Sequence, residues 1–313
     1  MSLYLEQRWA STVLTCIDNK NFELILLNSS NPLNHHEHNS ILILQYKVHS
    51  NNRNKKQASF YEDINISIAK STLYTKMSKI GIVVFPGSNC DQDVHNAFQN
   101  YFGVQTDMLW HTKDNLSNYD AIIIPGGFAY GDRLRAGVIA ARSPIMHAVK
   151  RIAKDGIPIL GICNGFQILI ESGILPGALT TNNNLQFVCG WTTVKIINNK
   201  TPFTNKFKRN KEIIIPIAHG EGRYIADDKD LRYLKKKNRI VLKYTKNDPN
   251  GSTDLIAGIC NSDGNVMGMM PHPERAIESI LIPDRISNQA VMIFTSLLSY
   301  LNIKHHYTPT IDS

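Results

Sequence analysis

The 313-residue chain has no glycine before Gly81, and Pro32 is the one proline in that stretch. A packed domain of many short elements is normally punctuated by both residue types. Residues 1–76 are therefore expected to be a poorly structured extension. The five cysteines form no CxxC pair and are widely spaced, which favours neither a zinc ribbon nor a disulfide framework. They suit a reducing, cytoplasmic compartment. No run reaches the ~18 uninterrupted apolar residues of a membrane helix. The first twenty residues lack the basic start, apolar stretch and small-residue cleavage site of a secretory signal. Neither G-x-G-x-x-G nor a Walker G-x-x-x-x-G-K-[ST] occurs, so no nucleotide site is expected on this chain.

What is present divides near Met77. The early segment is rich in Asn, His and Lys, as in Asn34 to Asn39 and Asn51 to Lys56. Its apolar stretches, Phe22 to Leu27 and Ile41 to Val48, could make strands. His35, His36 and His38 sit in a polar, Asn-rich context and are expected to be solvated rather than metal ligands. The run Met77-Ser78-Lys79-Ile80-Gly81-Ile82-Val83-Val84-Phe85 reads as a protein beginning: a Met, two polar residues, then a buried strand. The extension is thus expected to be an appendage or a stretch translated from a wrongly chosen start.

The balance of 34 Lys+Arg against 26 Asp+Glu gives a formal charge of +8. The basic runs Lys206 to Lys211 and Lys235 to Lys237 lack interleaved aromatics, and no RNP or zinc-finger pattern occurs. They read as solvated faces, with no nucleic-acid partner expected.

From Lys79 onward, short apolar runs alternate with helical patterns. Strands are predicted at Ile80 to Phe85, Asp120 to Ile124 and Pro158 to Ile162. Helices are predicted at Asp91 to Tyr101, Ser143 to Asp155 and after Ile162 through Glu171. Continuous apolar runs indicate strands buried on both faces. Their alternation with helices predicts an α/β fold with a doubly wound, mostly parallel sheet and helices on both faces. Further strands are predicted at Thr192 to Ile197, Glu212 to Ala218, Ile240 to Tyr244, Ile256 to Cys260 and Val266 to Met270, with a last helix near Asn288 to Leu301. The domain is expected to span 79–302, followed by a tail at 303–313.

Three local patterns carry chemistry. Gly161-Ile162-Cys163-Asn164-Gly165-Phe166-Gln167 has the form G-x-C-x-G at a strand-to-helix junction. A nucleophile elbow requires small residues on both sides, because the turn is too tight for others. The side chain then projects above the carboxyl end of the sheet, where open α/β folds bind ligands. The helix that follows aims its N-terminal N–H groups, which favour negative charge, at the sulfur. A nucleophilic cysteine needs a base, and the base an orienting group. Met270-Pro271-His272-Pro273-Glu274-Arg275 offers both: in an extended segment Glu274 emerges on the same side as His272. Gly126-Gly127-Phe128-Ala129-Tyr130-Gly131-Asp132 follows a buried strand, and its backbone amides could stabilise an oxyanion.

These three patterns, in this order, resemble the class I, or triad-type, glutamine amidotransferases. Phe85-Pro86-Gly87-Ser88-Asn89-Cys90-Asp91 and His219-Gly220-Glu221-Gly222 add to the likeness and narrow it to a purine-biosynthetic branch of that family. The resemblance covers roughly residues 79 to 300. It implies a flavodoxin-like sheet on which Cys163 attacks the side-chain amide of L-glutamine, His272 shuttles the proton and Glu274 orients His272. Backbone amides around Gly127 and of Asn164 would hold the oxyanion, and Gln167 would contact the bound glutamine. The chain itself would bind no metal or cofactor. ATP and Mg would belong to a large synthetase subunit that receives the ammonia, with a small third subunit in some bacterial versions. The chain alone would be nearly idle. The His219 to Gly222 loop would line the site or touch the partner. Two departures stand out. Arg133-Leu134-Arg135 replaces a stretch where relatives carry an aromatic residue and then a Cys, and Gly190 stands where an Arg is common.

Overall fold

A computed structural model describes residues 11–18, 21–27, 41–47 and 71–74 of the early segment, and then residues 78–245, 248–278, 282–283 and 289–305. The chain falls into two units, Met1–Met77 and Ser78–Ser313. In the first unit, β1 (Ser11–Asp18), β2 (Asn21–Leu27), β3 (Ile41–Lys47) and β4 (Ser71–Tyr74) form an antiparallel sheet in chain order. The two apolar stretches singled out as strand candidates are β2 and β3. The three clustered histidines lie outside the described residues.

The second unit opens with β5 (Ile80–Val84), α1 (Asp91–Asn96), β6 (Thr106–Trp110) and β7 (Ala121–Ile124). It continues through α2 (Pro144–Lys154), β8 (Ile159–Ile162) and α3 (Asn164–Glu171). Next come β9 (Ala178–Thr180), β10 (Val188–Ile196), β11 (Glu212–His219) and β12 (Arg223–Ile225). The chain ends with α4 (Asp228–Lys236), β13 (Ile240–Tyr244), β14 (Ile256–Cys260), β15 (Val266–Met269) and α5 (Met292–Tyr300).

Nine of these strands make one sheet in the order β11-β10-β13-β14-β15-β8-β7-β5-β6. Five of them, β15-β8-β7-β5-β6, are joined by parallel ladders. The other four are joined antiparallel. The parallel half follows from composition. Strands β7, β8 and β15 are buried at every position, which helices on both faces require. Each fully buried Ile there contributes roughly 1.5–3 kcal/mol relative to exposure.

Helix α2 begins at Pro144, whose missing N–H costs nothing in the first turn. It buries Ile145, Met146, Val149 and Ile152 and leaves Arg151 and Lys154 in its last turn. The helix predicted over Asp91 to Tyr101 is α1 followed by a π turn at Ala97–Tyr101. Strand β6 and helix α4 were not anticipated. β6 is an edge strand with one fully buried residue, Leu109, and α4 buries Leu234 alone, so neither shows a clear apolar period. The Lys235 to Lys237 run, read as a solvated face, is the end of α4. In the C-terminal stretch, Ile303 N donates to Leu298 O at 2.9 Å and the His305 ring meets Phe102 edge-on. No helix among the described residues is long and apolar enough to cross a membrane.

Candidate active site

Strands β8 and β15 are parallel neighbours, with Gly161 opposite Gly268 and Ile162 opposite Met269. Whatever follows each strand therefore emerges at the same edge of the sheet. After β8 comes Cys163, at φ 50° and ψ −105°, a backbone region that an L residue enters only under strain. The elbow's tightness is measured by its glycines. A Cβ on Gly165 would run into the Ile124 carbonyl, and one on Gly161 would stand 2.7 Å from the Gly165 oxygen. Cys163 N donates to Met269 O at 2.7 Å, tying the elbow to the end of β15. The thiol donates to Ala218 O at 3.6 Å.

After β15 comes His272, fully buried, whose own N–H donates to Pro216 O at 2.8 Å. Pro273 starts a 3-10 turn, Pro273–Ala276, so the loop is helical at Glu274 rather than extended as expected. The turn still delivers the carboxylate: His272 Nδ1 lies 2.6 Å from Glu274 Oε1. A carboxylate accepts, so Nδ1 carries a proton. Nε2 is buried without a hydrogen-bond partner among the described residues. Burial opposes the imidazolium. The Glu274 carboxylate, the Cys163 sulfur and the Cys90 thiol outweigh it, holding His272 well above its ordinary pKa.

The glycine loop supplies the roof. Gly127 sits at φ 145° with Asn89 N and Ser88 Cα against its open side, so no side chain fits. Asn164 braces the loop to the elbow. Its Oδ1 accepts from Ala129 N at 3.0 Å, and its Nδ2 donates to Gln167 Oε1 at 2.7 Å and to Asp132 at 3.2 Å. As the first residue of α3, Asn164 also offers one of the helix's unpaired N–H groups. Gln167 lines the cavity, yet both its polar ends are engaged, the second through Nε2 to Glu221 O at 2.8 Å.

Cys163, His272, Gly127 and Gln167 thus border one cavity of about 170 Å³, which also meets Asp132, His219 and Glu221. The His219 to Gly222 loop, expected to line the site or meet a partner, does line it. Burial and the nearby Glu221 push Asp132 up to about 6. Burial, with the charge of His272, pushes His219 down to about 4. Phe128 and Phe187, both half exposed, tilt against each other at 6.4 Å and line the same cavity. The arrangement can deprotonate a thiol, hold a proton at Nε2 and surround a small polar group. It is the kit for acyl transfer through a thioester.

One residue went unassigned from the sequence. Cys90, quoted within the Phe85 to Asp91 motif, is buried with its Sγ 3.9 Å from His272 Nδ1 and 3.1 Å from Arg275 Nη2. Burial pushes its thiol up, so it stays protonated. The separation of 182 residues between Cys90 and His272 left no local signal of the contact. Cys90, His272 and Glu274 are also the described His, Cys and acidic residues whose ligand atoms cluster within 4.8 Å. The 2.6 Å bond between His272 and Glu274 already uses that space.

Comparison with known proteins gives consistent likenesses. The profile of the CobB/CobQ-like glutamine amidotransferase domain matches residues 77–301. The chain is 54% identical over 211 residues to phosphoribosylformylglycinamidine synthase subunit PurQ of Moorella thermoacetica, covering 65% of this chain and 89% of that protein. A chain in the structure of PurLQS from Thermotoga maritima superposes with a TM-score of 0.64 at 44% identity, covering 72% of this chain and 99% of that one.

Proposed function

The chain belongs to the CobB/CobQ-like glutamine amidotransferase family, and we propose that it is the glutaminase subunit of a phosphoribosylformylglycinamidine synthase. In this reading the Cys163 thiol loses its proton to His272 Nε2, and the sulfur attacks the side-chain amide carbon of glutamine. The oxyanion is held by the backbone amides of Gly127 and Asn164, donors of a kind worth about 10²–10³ in rate each. His272 returns the proton to the leaving nitrogen, and ammonia departs. Water then attacks the thioester and releases glutamate. Glu274 keeps Nδ1 protonated and stabilises the imidazolium, without itself taking the proton. Gln167 shapes the pocket. With one N–H given to Glu221 O and one lone pair taken by Asn164, a second N–H and a second lone pair remain for a contact with glutamine.

The ammonia would pass to a large synthetase subunit, which uses ATP and Mg to turn formylglycinamide ribonucleotide into its amidine. A small third subunit would complete the assembly, as the PurLQS likeness suggests. No cofactor is assigned to this chain. Cys90, Cys163, Cys189 and Cys260 are free, which supports the cytoplasm as its place of work.

One observation carries the reading: neighbouring parallel strands deliver Cys163 and a Glu274-bound His272 to one cavity. The test is Cys163→Ala in the complex. It should abolish synthesis from glutamine and leave synthesis from free ammonia intact. A variant complex that still uses glutamine normally would show the nucleophile to be elsewhere.

A further inference from the structure

Arg275 follows Glu274 directly and borders two cavities, the one beside Cys163 and a larger one of about 430 Å³ that Glu274 also lines. Glu274 Oε2 is buried and has no hydrogen-bond partner among the described residues. A guanidinium next to an open carboxylate oxygen would ordinarily close onto it, because charge-assisted Arg–carboxylate pairs are among the strongest hydrogen bonds in proteins. Here it does not. Arg275 Nη2 donates to Cys90 Sγ at 3.1 Å, and Arg275 Nε lies 4.0 Å from Asp93 Oδ2.

Cys90 is itself pinned. It caps α1, its N–H donates to Gly126 O at 3.2 Å, and its carbonyl accepts from Val94 N at 3.0 Å. Beside that sulfur, Gly126 has no room for a side chain. A Cβ there would meet His272 Cε1 at 2.7 Å and Cys90 Sγ at 3.2 Å. The bare backbone of Gly126 and the neutral, polarisable sulfur of Cys90 thus meet the imidazole side by side, and that sulfur also occupies the guanidinium.

We propose that Cys90 is a positioning residue for glutamine hydrolysis: its thiol keeps the Arg275 guanidinium off Glu274, so that Glu274 remains the partner of His272. The inference rests on the reading of Cys163, His272 and Glu274 as a glutaminase triad. Without the thiol, Arg275 swings onto Oε2 and offsets the carboxylate charge that sustains the imidazolium. The charged and titratable groups acting on His272 are Glu274, Cys163, Cys90, Asp93 and His219, and Arg275 reaches it through Cys90 and Glu274.

The experiment compares Cys90→Ala, Cys90→Ser and the double variant Cys90→Ala/Arg275→Ala, as full chains assembled with the synthetase. Ammonia release from glutamine is followed against pH. In Cys90→Ala the alkaline limb of kcat/KM, which reports loss of the imidazolium, should move down by about one pH unit, with kcat falling more than KM changes. Ser can still accept from Arg275 and should restore most of the limb. Removing Arg275 from the Ala background should restore it too. In the free full chain, the low-field proton resonance of the short His272 Nδ1–Glu274 bond should be lost in Cys90→Ala and kept in Cys90→Ser.

A Cys90→Ala profile and resonance matching wild type would overturn the proposal. A limb shift that persists unchanged in the double variant would do the same. A wild-type complex releasing no ammonia from glutamine would instead overturn the triad reading, while the resonance would still decide the role of Cys90.

Discussion

The two halves of the nine-stranded sheet differ in what they bring to the cavity. Parallel strands β5, β7, β8 and β15 are almost wholly buried, and each ends in a glycine- or proline-bearing turn at one edge. From those turns come Cys90, the Gly126–Gly127 loop, Cys163 and His272. Antiparallel strands β10 and β11 alternate buried with partly exposed positions and contribute a wall: the Ala218 carbonyl, His219 and Glu221. The proposed reacting groups sit where the backbone is cramped and over-determined. The wall sits where it is open. The difference teaches that in this fold strain and chemistry share an edge.

The largest expected effect tests whether the parallel half alone carries the reaction. Cys163→Ala should lower glutamine-dependent ammonia release by more than about 10³-fold, whereas His219→Gln on the wall should cost far less. Equal losses in a steady-state assay would erase the distinction. Next, Glu274→Gln keeps the shape and removes the charge. It should cost roughly 10²–10⁴-fold in kcat, since the imidazole loses both its fixed tautomer and its counter-charge. A KM effect with kcat intact would show Glu274 to be a binding group instead.

A third comparison concerns room. Gly165→Ala on the parallel side places a methyl on the Ile124 carbonyl, whereas a Cβ added at Gly190 in β10 would meet nothing within 4 Å. Urea denaturation should show Gly165→Ala destabilised by about 1–3 kcal/mol and Gly190→Ala within about 0.5 kcal/mol of wild type. Matching losses would mean that the elbow is not as tight as its contacts.

The smallest effect is one of sign with pH. Asp132, on the glycine loop, has its carboxyl raised from 3.8 to about 6. The folded chain then holds the extra proton, and stability falls as pH rises through that window. His219, ending β11, is lowered from 6.5 to about 4. There the unfolded chain holds the extra proton, and stability is lost as pH falls from 6.5 toward 4. Asp132→Asn should therefore steepen the rise of Tm between about pH 4 and 6, and His219→Gln should flatten it. Slopes that change in the same direction would contradict one of the two environments.

The same contrast decides what was readable in the sequence. The apolar runs of β5, β7, β8 and β15 could be placed because burial on both faces leaves no polar interruptions. The elbow could be placed because only small residues survive beside Cys163. The strands of the open half were located with shifted ends: β10 begins at Val188, not Thr192, because its first positions face outward. The near-polar α4 and the exposed edge strand β6 carried no usable period. The Cys90–Arg275–His272 contact joins residues brought together by the sheet rather than by spacing, so no local pattern announced it. Gln167 was legible as a cavity residue, but the engagement of both its ends with Asn164 and Glu221 was not.

The central claim is that Cys163, and not the neighbouring Cys90, is the sulfur that attacks. The direct measurement is intact and peptide mass spectrometry of the full chain, assembled with the synthetase, after exposure to a glutamine analogue bearing an electrophilic carbon in place of the side-chain amide. The account predicts a single adduct on Cys163, blocked by excess L-glutamine and absent in Cys163→Ala. An adduct on Cys90, or labelling that persists in Cys163→Ala, would contradict it.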